Sequence, residues 1–368
     1  MQAFVRVGNE SVVASMSKHK ELVLKGSNMS YDSLVSRWRF EDMAFTVLRA
    51  TYFKRTNRSF EDSDYESFGI VNERGELTNA GALLADYSPV RHSRLFCTRW
   101  NGLDKANGVM DALDEEEYSG SLVTLLQSGL DFVRRNSKKA WRKTADNRLE
   151  YLEYPERAVE EGLVNAIIHR NYLELGSEVH IDMYDDRLEI FSPGELLDGG
   201  SIKDMDVMNM ASRRRNPVLA DIFSRLKYME RRGSGFKKIV SAYKGHDGYT
   251  EGMEPKFSTP WNSFVLTLPK FNVDAVEGVY VISDDVTDSG GQKSGQKSGQ
   301  KNADKTIDTI LQFIKDNPSI TRKSLAKIVG ISQSAIQKHI NRLKAEGIIV
   351  RNGGDRGGHW EIINKEGK

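Results

Sequence analysis

The stretch that decides the fold is EGLVNAIIHRNY, residues 161–172. Its apolar positions recur with the helical period, and at about 100° per residue Glu161, Asn165 and His169 fall on one face. A helix that packs one side into a core usually exposes Lys and Glu on its other side. A carboxylate, an amide and an imidazole in a row, with small Gly162 beside them, instead predict a face that a ligand approaches closely.

The Glu-x-x-x-Asn spacing resembles the N box of the Bergerat-type (GHKL) ATPases, the fold of histidine kinases, gyrase B and Hsp90. With its His-Arg-Asn-Tyr ending at residues 169–172, the stretch more narrowly resembles the bacterial RecG-like or Schlafen-AlbA-type transcriptional regulators. The resemblance implies that Asn165 holds a Mg²⁺ ion bridging the ATP phosphates. It also implies that Glu161 activates the attacking water if ATP is hydrolysed. ATP and Mg²⁺ are therefore the expected cofactors.

Two strands and a glycine-containing break are predicted after this helix. Residues 179–183 alternate apolar and polar side chains, and residues 187–191 return as the paired strand. The second strand runs into Ser192-Pro193-Gly194, where a base can lie against bare backbone. The superfamily normally carries Asp-x-Gly here, whereas the RecG-like group also shows Ser-Pro-Gly. Because Ser192 offers a hydroxyl and no charge, selection of adenine stays open.

Two later segments are expected to contact phosphates. Residues 213–215 are three consecutive arginines, which either clamp phosphates or form a solvated basic surface. Gly233 and Gly235 open a helix and leave backbone N–H groups free, in an order that resembles the G2 box of these ATPases. His169 joins the set, with capping of helix carbonyls as its alternative role. The candidate nucleotide-binding residues are Asn165, His169, Ser192, Gly194, Arg215, Gly233 and Gly235.

The last 67 residues, 302–368, resemble a winged helix-turn-helix: three helical patterns precede a hairpin around a Gly-rich wing. Residues 301–368 hold 13 Lys and Arg against 7 Asp and Glu, a net charge of +6 in a chain of +1. Basic charge is therefore concentrated where a duplex would dock, although winged helices also bind proteins. The candidate DNA-contacting residues are Ser334, Gln337, Lys338, Asn341, Arg342, Arg351 and Arg356.

Composition and low-complexity sequence set the domain organisation. The chain has 368 residues, 39% hydrophobic and 29% charged, which indicates a soluble globular protein of several domains. Its single cysteine, Cys97, excludes an internal disulfide and a multi-cysteine zinc site. No apolar run approaches the ~20 residues of a membrane span and no secretory start is present, so we expect a cytoplasmic protein without membrane contact.

An SGQK repeat at residues 289–301 contains no apolar residue and predicts a flexible tether. The domain assignment is a strand at 1–18, a mixed α/β segment at 19–150, a GHKL-like domain at 151–272, a linker at 273–301 and a winged helix at 302–368. The strand at 1–18 is interpreted as a remnant of an AlbA-like domain, with an ordinary edge strand as the alternative. The segment 19–150 is interpreted as scaffold.

The expected fold class is α+β multidomain, a GHKL-like (Bergerat) α/β sandwich followed by a winged helix-turn-helix. The expected function is that of a DNA-binding transcriptional regulator and homodimer whose central domain is a nucleotide-responsive switch, with weak ATPase activity left open. One alternative is an ATPase of a RecG-like helicase-related or defence system, although the chain lacks the P-loop of ordinary helicase engines. The other is a degenerate pocket that serves as a dimerisation scaffold.

Overall fold

The computed structural model divides the chain into two compact units, Met1–Val286 and Thr287–Lys368. The predicted linker at 273–301 lies outside the described residues apart from Val273 and residues 280–282. The residues that the structure describes are 3–7, 10–105, 112–143, 148–197, 213–230, 234–273, 280–282, 310–315, 317–318, 320–322, 324–325, 333–345, 347–352 and 359–363.

The first unit is a mixed α/β structure. Its strands are β1 (Phe4–Val7), β2 (Glu10–Val13), β3 (Arg94–Trp100), β4 (Ala112–Ser119), β5 (Lys139–Lys143), β6 (Arg148–Leu152), β7 (Val179–Met183), β8 (Arg187–Pro193), β9 (Lys256–Ser258), β10 (Ser263–Pro269) and β11 (Tyr280–Ile282). Its helices are α1 (Met16–Gly26), α2 (Thr46–Thr56), α3 (Asp62–Ser67), α4 (Asn79–Leu84), α5 (Leu122–Arg135), α6 (Glu156–Ile168), α7 (Pro217–Arg225) and α8 (Gly235–Lys244). None of the helices in the described ranges is long and apolar enough to cross a membrane.

A six-stranded mixed sheet forms the centre of this unit, in the order β4-β3-β7-β8-β10-β9. The predicted pairing of β7 with β8 is confirmed, with Ile181 opposite Ile190. Strands β3 and β7 are parallel, and the other neighbours in the sheet are antiparallel. Because β3 and β4 belong to the segment 19–150, the sheet crosses the predicted boundary at residue 150. That segment therefore supplies two strands of the central sheet.

Helices α5 and α6 pack on one face of this sheet, and two glycines permit the close approach. A Cβ on Gly162 of α6 would lie 2.5 Å from Leu266 Cδ2 and 3.1 Å from Ile190 Cδ1. A Cβ on Gly129 of α5 would lie 2.6 Å from Leu163 Cδ2. Gly162 therefore seats the helix on β8 and β10. Gly162 also lines a cavity of this unit, so packing is a second role beside the predicted close approach of a ligand.

The beginning of the chain differs from the predicted single strand. Strand β1 pairs with β2 as an antiparallel hairpin, with Phe4 opposite Val13. Helix α1 follows and runs through the boundary predicted at residue 18. Its contact with the rest of the unit includes an ion pair in which Lys18 Nζ lies 2.6 Å from Glu195 Oε1. The hairpin arises because residues 4–7 find their partner in the residues that follow them.

The second unit has the hydrophobic spacing predicted for a winged helix. Helix α9 (Gln333–Ala345) precedes the antiparallel strands β12 (Ile349–Asn352) and β13 (His359–Ile362). Thr321 caps an earlier helix, since its Oγ1 accepts the backbone N–H of Ser324 at 3.1 Å. The core is one cluster of buried side chains, namely Ile310, Ile314, Ile320, Leu325, Ile336, Ile340, Leu343, Ile349 and Trp360.

Candidate functional site

The residues assigned from the sequence meet around one cavity of the first unit, with a volume of about 380 Å³. They come from α6, from the end of β8 and from the segments at the starts of α7 and α8. Gly233 lies outside the described residues. The assigned residues that line the cavity are Glu161, Asn165, His169, Ser192, Gly194, Arg215 and Gly235.

At one wall of the cavity, the first turn of α8 lies directly against α6. A Cβ on Gly235 would stand 2.7 Å from Glu161 Oε1 and 2.9 Å from Asn165 Nδ2. Only glycine leaves these two polar groups unobstructed at this point. Because α8 begins here, its first N–H groups and the positive end of its dipole lie beside a carboxylate and an amide. The N–H groups of such a wall can bind an anion, and its carboxylate and amide oxygens can bind a cation beside it.

Lys238, which the sequence interpretation missed, pairs with two carboxylates that line the cavity. Its Nζ lies 3.6 Å from Glu161 Oε2 and 3.0 Å from Glu230 Oε1. Burial raises the pKa of the Glu161 carboxyl, and the neighbouring ammonium of Lys238 offsets part of that rise. Lys238 stands three residues after Gly235, one helical turn further on, and this spacing is the signal that could have identified it.

Arg215 also lines the cavity and brings a guanidinium with an unused donor. Arg215 Nη2 donates to the backbone carbonyl of Glu195, while Nη1 is buried and has no hydrogen-bond partner among the described residues. A Cβ on Gly194, whose φ is +109°, would lie 2.7 Å from this Nη1. Burial lowers the pKa of Arg215. A buried donor of this kind is costly unless an acceptor reaches it, so the geometry suits an anionic group.

His169 ends α6 as a neutral ring. Burial, with the nearby charges of Arg215 and Arg214, lowers the pKa of His169 to about 4. A neutral imidazole offers both a donor and an acceptor to a ligand. Its backbone N–H donates to the carbonyl of Asn165 at 2.9 Å. His169 therefore lies at the end of α6 and at the cavity wall.

Ser192 is buried and already has one hydrogen bond. Its hydroxyl donates to the carbonyl of Ala166 at 2.8 Å, which ties the end of β8 to α6. The hydroxyl oxygen keeps lone pairs that can accept a hydrogen bond from a ligand. Its proton is already donated to the carbonyl of Ala166.

An aromatic group forms the apolar part of the cavity and was not identified from the sequence. The ring centroids of Phe236 and Phe257 are 4.8 Å apart, and those of Phe236 and Phe264 are 6.0 Å apart. Each ring comes from a different element, α8, β9 and β10, so no local pattern joins them. An apolar wall opposite charged groups is typical of sites for amphipathic small molecules.

Arg170 and Tyr172, at the end of the stretch 161–172, stabilise the fold by binding backbone carbonyls. Arg170 is buried and donates to the carbonyls of Asn171, Glu174 and Ser177. The Tyr172 hydroxyl donates to the carbonyl of Ile167 at 2.9 Å. These bonds satisfy backbone acceptors at the end of α6 and in the loop that follows.

Of the predicted DNA-contacting residues, five lie on α9 and Arg351 lies on β12. Gln337 Nε2 donates to Asn341 Oδ1 at 2.7 Å. The guanidinium of Arg351 lies over the Trp360 ring, 5.0 Å from its centroid, so part of Arg351 packs on the core. The backbone of Ser334, Lys338 and Arg342 belongs to α9, but their side chains and all of Arg356 lie outside what the structure describes.

Two family models match the chain. Residues 176–268 match the family "Putative ATP-dependent DNA helicase recG C-terminal", and residues 304–350 match "Winged helix-turn-helix DNA-binding". Glu161, Asn165 and His169 precede the first match, and Arg351 and Arg356 follow the second.

Whole-chain comparisons add a fold likeness. No curated protein matches the chain significantly. A crystal structure of the DIP2311 protein from Corynebacterium diphtheriae matches with a TM-score of 0.56 and 16% identity, over 98% of this chain and 70% of that chain. The chain thus joins a segment that matches the RecG C-terminal model to one that matches a winged helix-turn-helix, which confirms the two-part architecture that its motifs predict.

Proposed function

We propose that this protein is a DNA-binding regulator whose first unit binds ATP with Mg²⁺ and whose winged helix binds duplex DNA. One observation carries the nucleotide part: seven residues chosen for their motif positions, up to 74 positions apart, line a single cavity. The GHKL-like fold of this unit, the use of nucleotide as a switch and the dimeric state belong to the same proposal. The family match at residues 176–268 supports it.

The donor set of the cavity fits a magnesium–triphosphate group. Asn165 would supply a hard oxygen ligand of the kind that Mg²⁺ prefers. No group of three His, Cys, Asp or Glu side chains within the described ranges is placed to hold a metal. The remaining ligands would therefore be phosphate oxygens and water, as is common for Mg²⁺. Bound there, Mg²⁺ would neutralise phosphate charge, while Arg215 Nη1 and the start of α8 would bind phosphate oxygens.

Calorimetry of the full chain with Mg-ATP, Mg-GTP and ATP plus EDTA tests this proposal. We expect binding of Mg-ATP and much weaker binding without the metal. Comparable binding of Mg-GTP would show that Ser192 does not select adenine. DNA affinity, measured by fluorescence anisotropy with and without Mg-ATP, then tests the switch. Absence of any nucleotide binding by the folded protein would instead favour the scaffold alternative.

ATP hydrolysis is a second candidate function, favoured by the buried carboxylate of Glu161 at the cavity wall. A general base in this position removes a proton from the attacking water, and its loss commonly costs ~100-fold or more in rate. The Glu161→Gln variant should then still bind nucleotide but no longer release phosphate from it. If the parent protein releases no phosphate above a protein-free control, with or without DNA, the protein binds nucleotide without turnover.

A further inference from the structure

The exposed side of α9 carries a connected series of hydrogen bonds that begins on another helix. Arg322 Nη1 donates to Gln337 Oε1, and Gln337 Nε2 donates to Asn341 Oδ1 at 2.7 Å. Gln337 and Asn341 are four residues apart and share one face of the helix. Three side chains are thus oriented by one another, and all three lie at the surface of the second unit.

The position of Arg322 is itself set by the backbone. It stands in the first turn after Thr321, whose Oγ1 accepts the N–H of Ser324 and whose carbonyl accepts the N–H of Leu325 at 2.9 Å. A capped helix start holds the guanidinium at the side of α9. The planar fork of Arg can hold the amide oxygen with one N–H and keep others for a ligand.

This arrangement leaves mainly donors facing outward. The carbonyl oxygen of Gln337 is occupied by a cation, and that of Asn341 is occupied by the Gln337 amide. The remaining hydrogens are one on Gln337 Nε2, two on Asn341 Nδ2 and those of the Arg322 guanidinium. An incoming amino group of a base would have to approach an oxygen that already lies beside a positive charge. An incoming acceptor meets no such obstacle.

We propose that Arg322 determines base specificity by holding Gln337 and Asn341 in a mainly donating orientation that selects guanine in the major groove. Guanine presents two acceptors there, N7 and O6, whereas adenine presents one acceptor and one amino donor. A free glutamine side chain prefers adenine, because it can donate to N7 and accept from N6. Arg322 removes the accepting half of that pair. This inference rests on the proposed DNA binding of the winged helix.

The test compares the base preference of the parent full chain with that of Arg322→Met. Selection from a library of randomised duplexes identifies the preferred site, and anisotropy then measures the affinity for duplexes with G·C or A·T at each selected position. We expect the parent to prefer guanine at one position by about tenfold. In Arg322→Met the ratio should fall below about threefold or turn towards adenine, because Gln337 can accept again.

Three variants separate this effect from the loss of a charge. Lys315→Met removes an exposed cation from the same unit and should leave the base ratio unchanged. Arg322→Lys keeps a donor for Gln337 and should retain most of the preference. In Gln337→Ala, the further change Arg322→Met should leave the ratio as it is.

Two results would overturn the inference while the proposed DNA binding stands. One is an unchanged guanine preference in Arg322→Met, and the other is a parent that prefers adenine at every position that depends on Gln337. A parent chain that binds no duplex at low salt would instead remove the DNA-binding proposal and this inference together.

Discussion

The two parts of the stretch 161–172 differ in what they contact. Glu161, Asn165 and His169 recur every four residues and line the cavity, whereas Arg170 and Tyr172 donate to backbone carbonyls of the fold. The first set ends where the helix ends, and the second set begins there. A stretch that resembles a family motif can therefore contain two kinds of residue. Some line the cavity, and others stabilise the backbone that positions the first kind. Helical spacing, rather than membership of the stretch, separates the two.

The largest expected effect is a loss of stability, and it comes from a residue of the stretch that binds backbone carbonyls. Arg170→Met removes the donors of three backbone carbonyls and should lower the free energy of unfolding by about 3 kcal/mol or more, since each buried group left unsatisfied costs about 1–3 kcal/mol. Urea unfolding measures the loss. Arg157→Met, an exposed position on α6, is the matched control and should change stability little. Equal stability of the two variants would contradict the structural role of Arg170.

A residue of the stretch that lines the cavity should instead affect nucleotide binding and not stability. Asn165→Ala should leave the free energy of unfolding nearly unchanged and weaken Mg-ATP binding by about 30-fold, the typical weight of one interaction with a charged group. Calorimetry measures the affinity. Gln127→Ala removes an exposed amide from neighbouring α5 and should bind nucleotide like the parent. Unchanged affinity in a folded Asn165→Ala protein would end the assignment of Asn165.

Much of this site could be predicted from local sequence. Periodicity indicates α6, the alternation of apolar residues indicates β7 and β8, and the Gly-x-Gly pattern at the start of a helix indicates Gly235. The parallel pairing of β3 with β7 could not be predicted, because Cys97 and Ile181 are neighbours across the sheet but 84 residues apart in the chain. Lys238 was missed for a related reason: its spacing places it one helical turn after Gly235, but the carboxylates of Glu161 and Glu230 reach it only through packing.

Two glycines that line the cavity allow the same comparison of stability with nucleotide binding, with smaller expected effects. Gly162→Ala should lower the free energy of unfolding by about 1–3 kcal/mol, because its Cβ would overlap Leu266 on the sheet. Gly235→Ala should mainly weaken Mg-ATP binding, by about tenfold, since its Cβ would displace the carboxylate of Glu161. Unfolding and calorimetry on both variants decide the matter. The assignment fails if Gly235→Ala loses only stability and keeps its affinity.

The smallest expected effect concerns His169, where the cavity and the helix end meet. The folded pKa is about 4, below the ordinary value near 6.5, so the unfolded chain binds a proton that the folded protein does not. The stabilisation by this group is therefore present above pH ~6.5 and is lost as the pH falls through the window from about 6.5 to 4.

His169→Asn should remove this dependence. Between pH 7 and pH 5 the parent should lose roughly 1 kcal/mol more stability than the variant, with some allowance for the partial exposure of the ring. Urea unfolding at several pH values measures the difference, and His19→Asn on α1 controls for the loss of an imidazole elsewhere. If the parent and His169→Asn lose stability in parallel, the pKa of the ring is the same in the folded and the unfolded chain. His169 would then belong with the solvated end of α6 and not with the cavity.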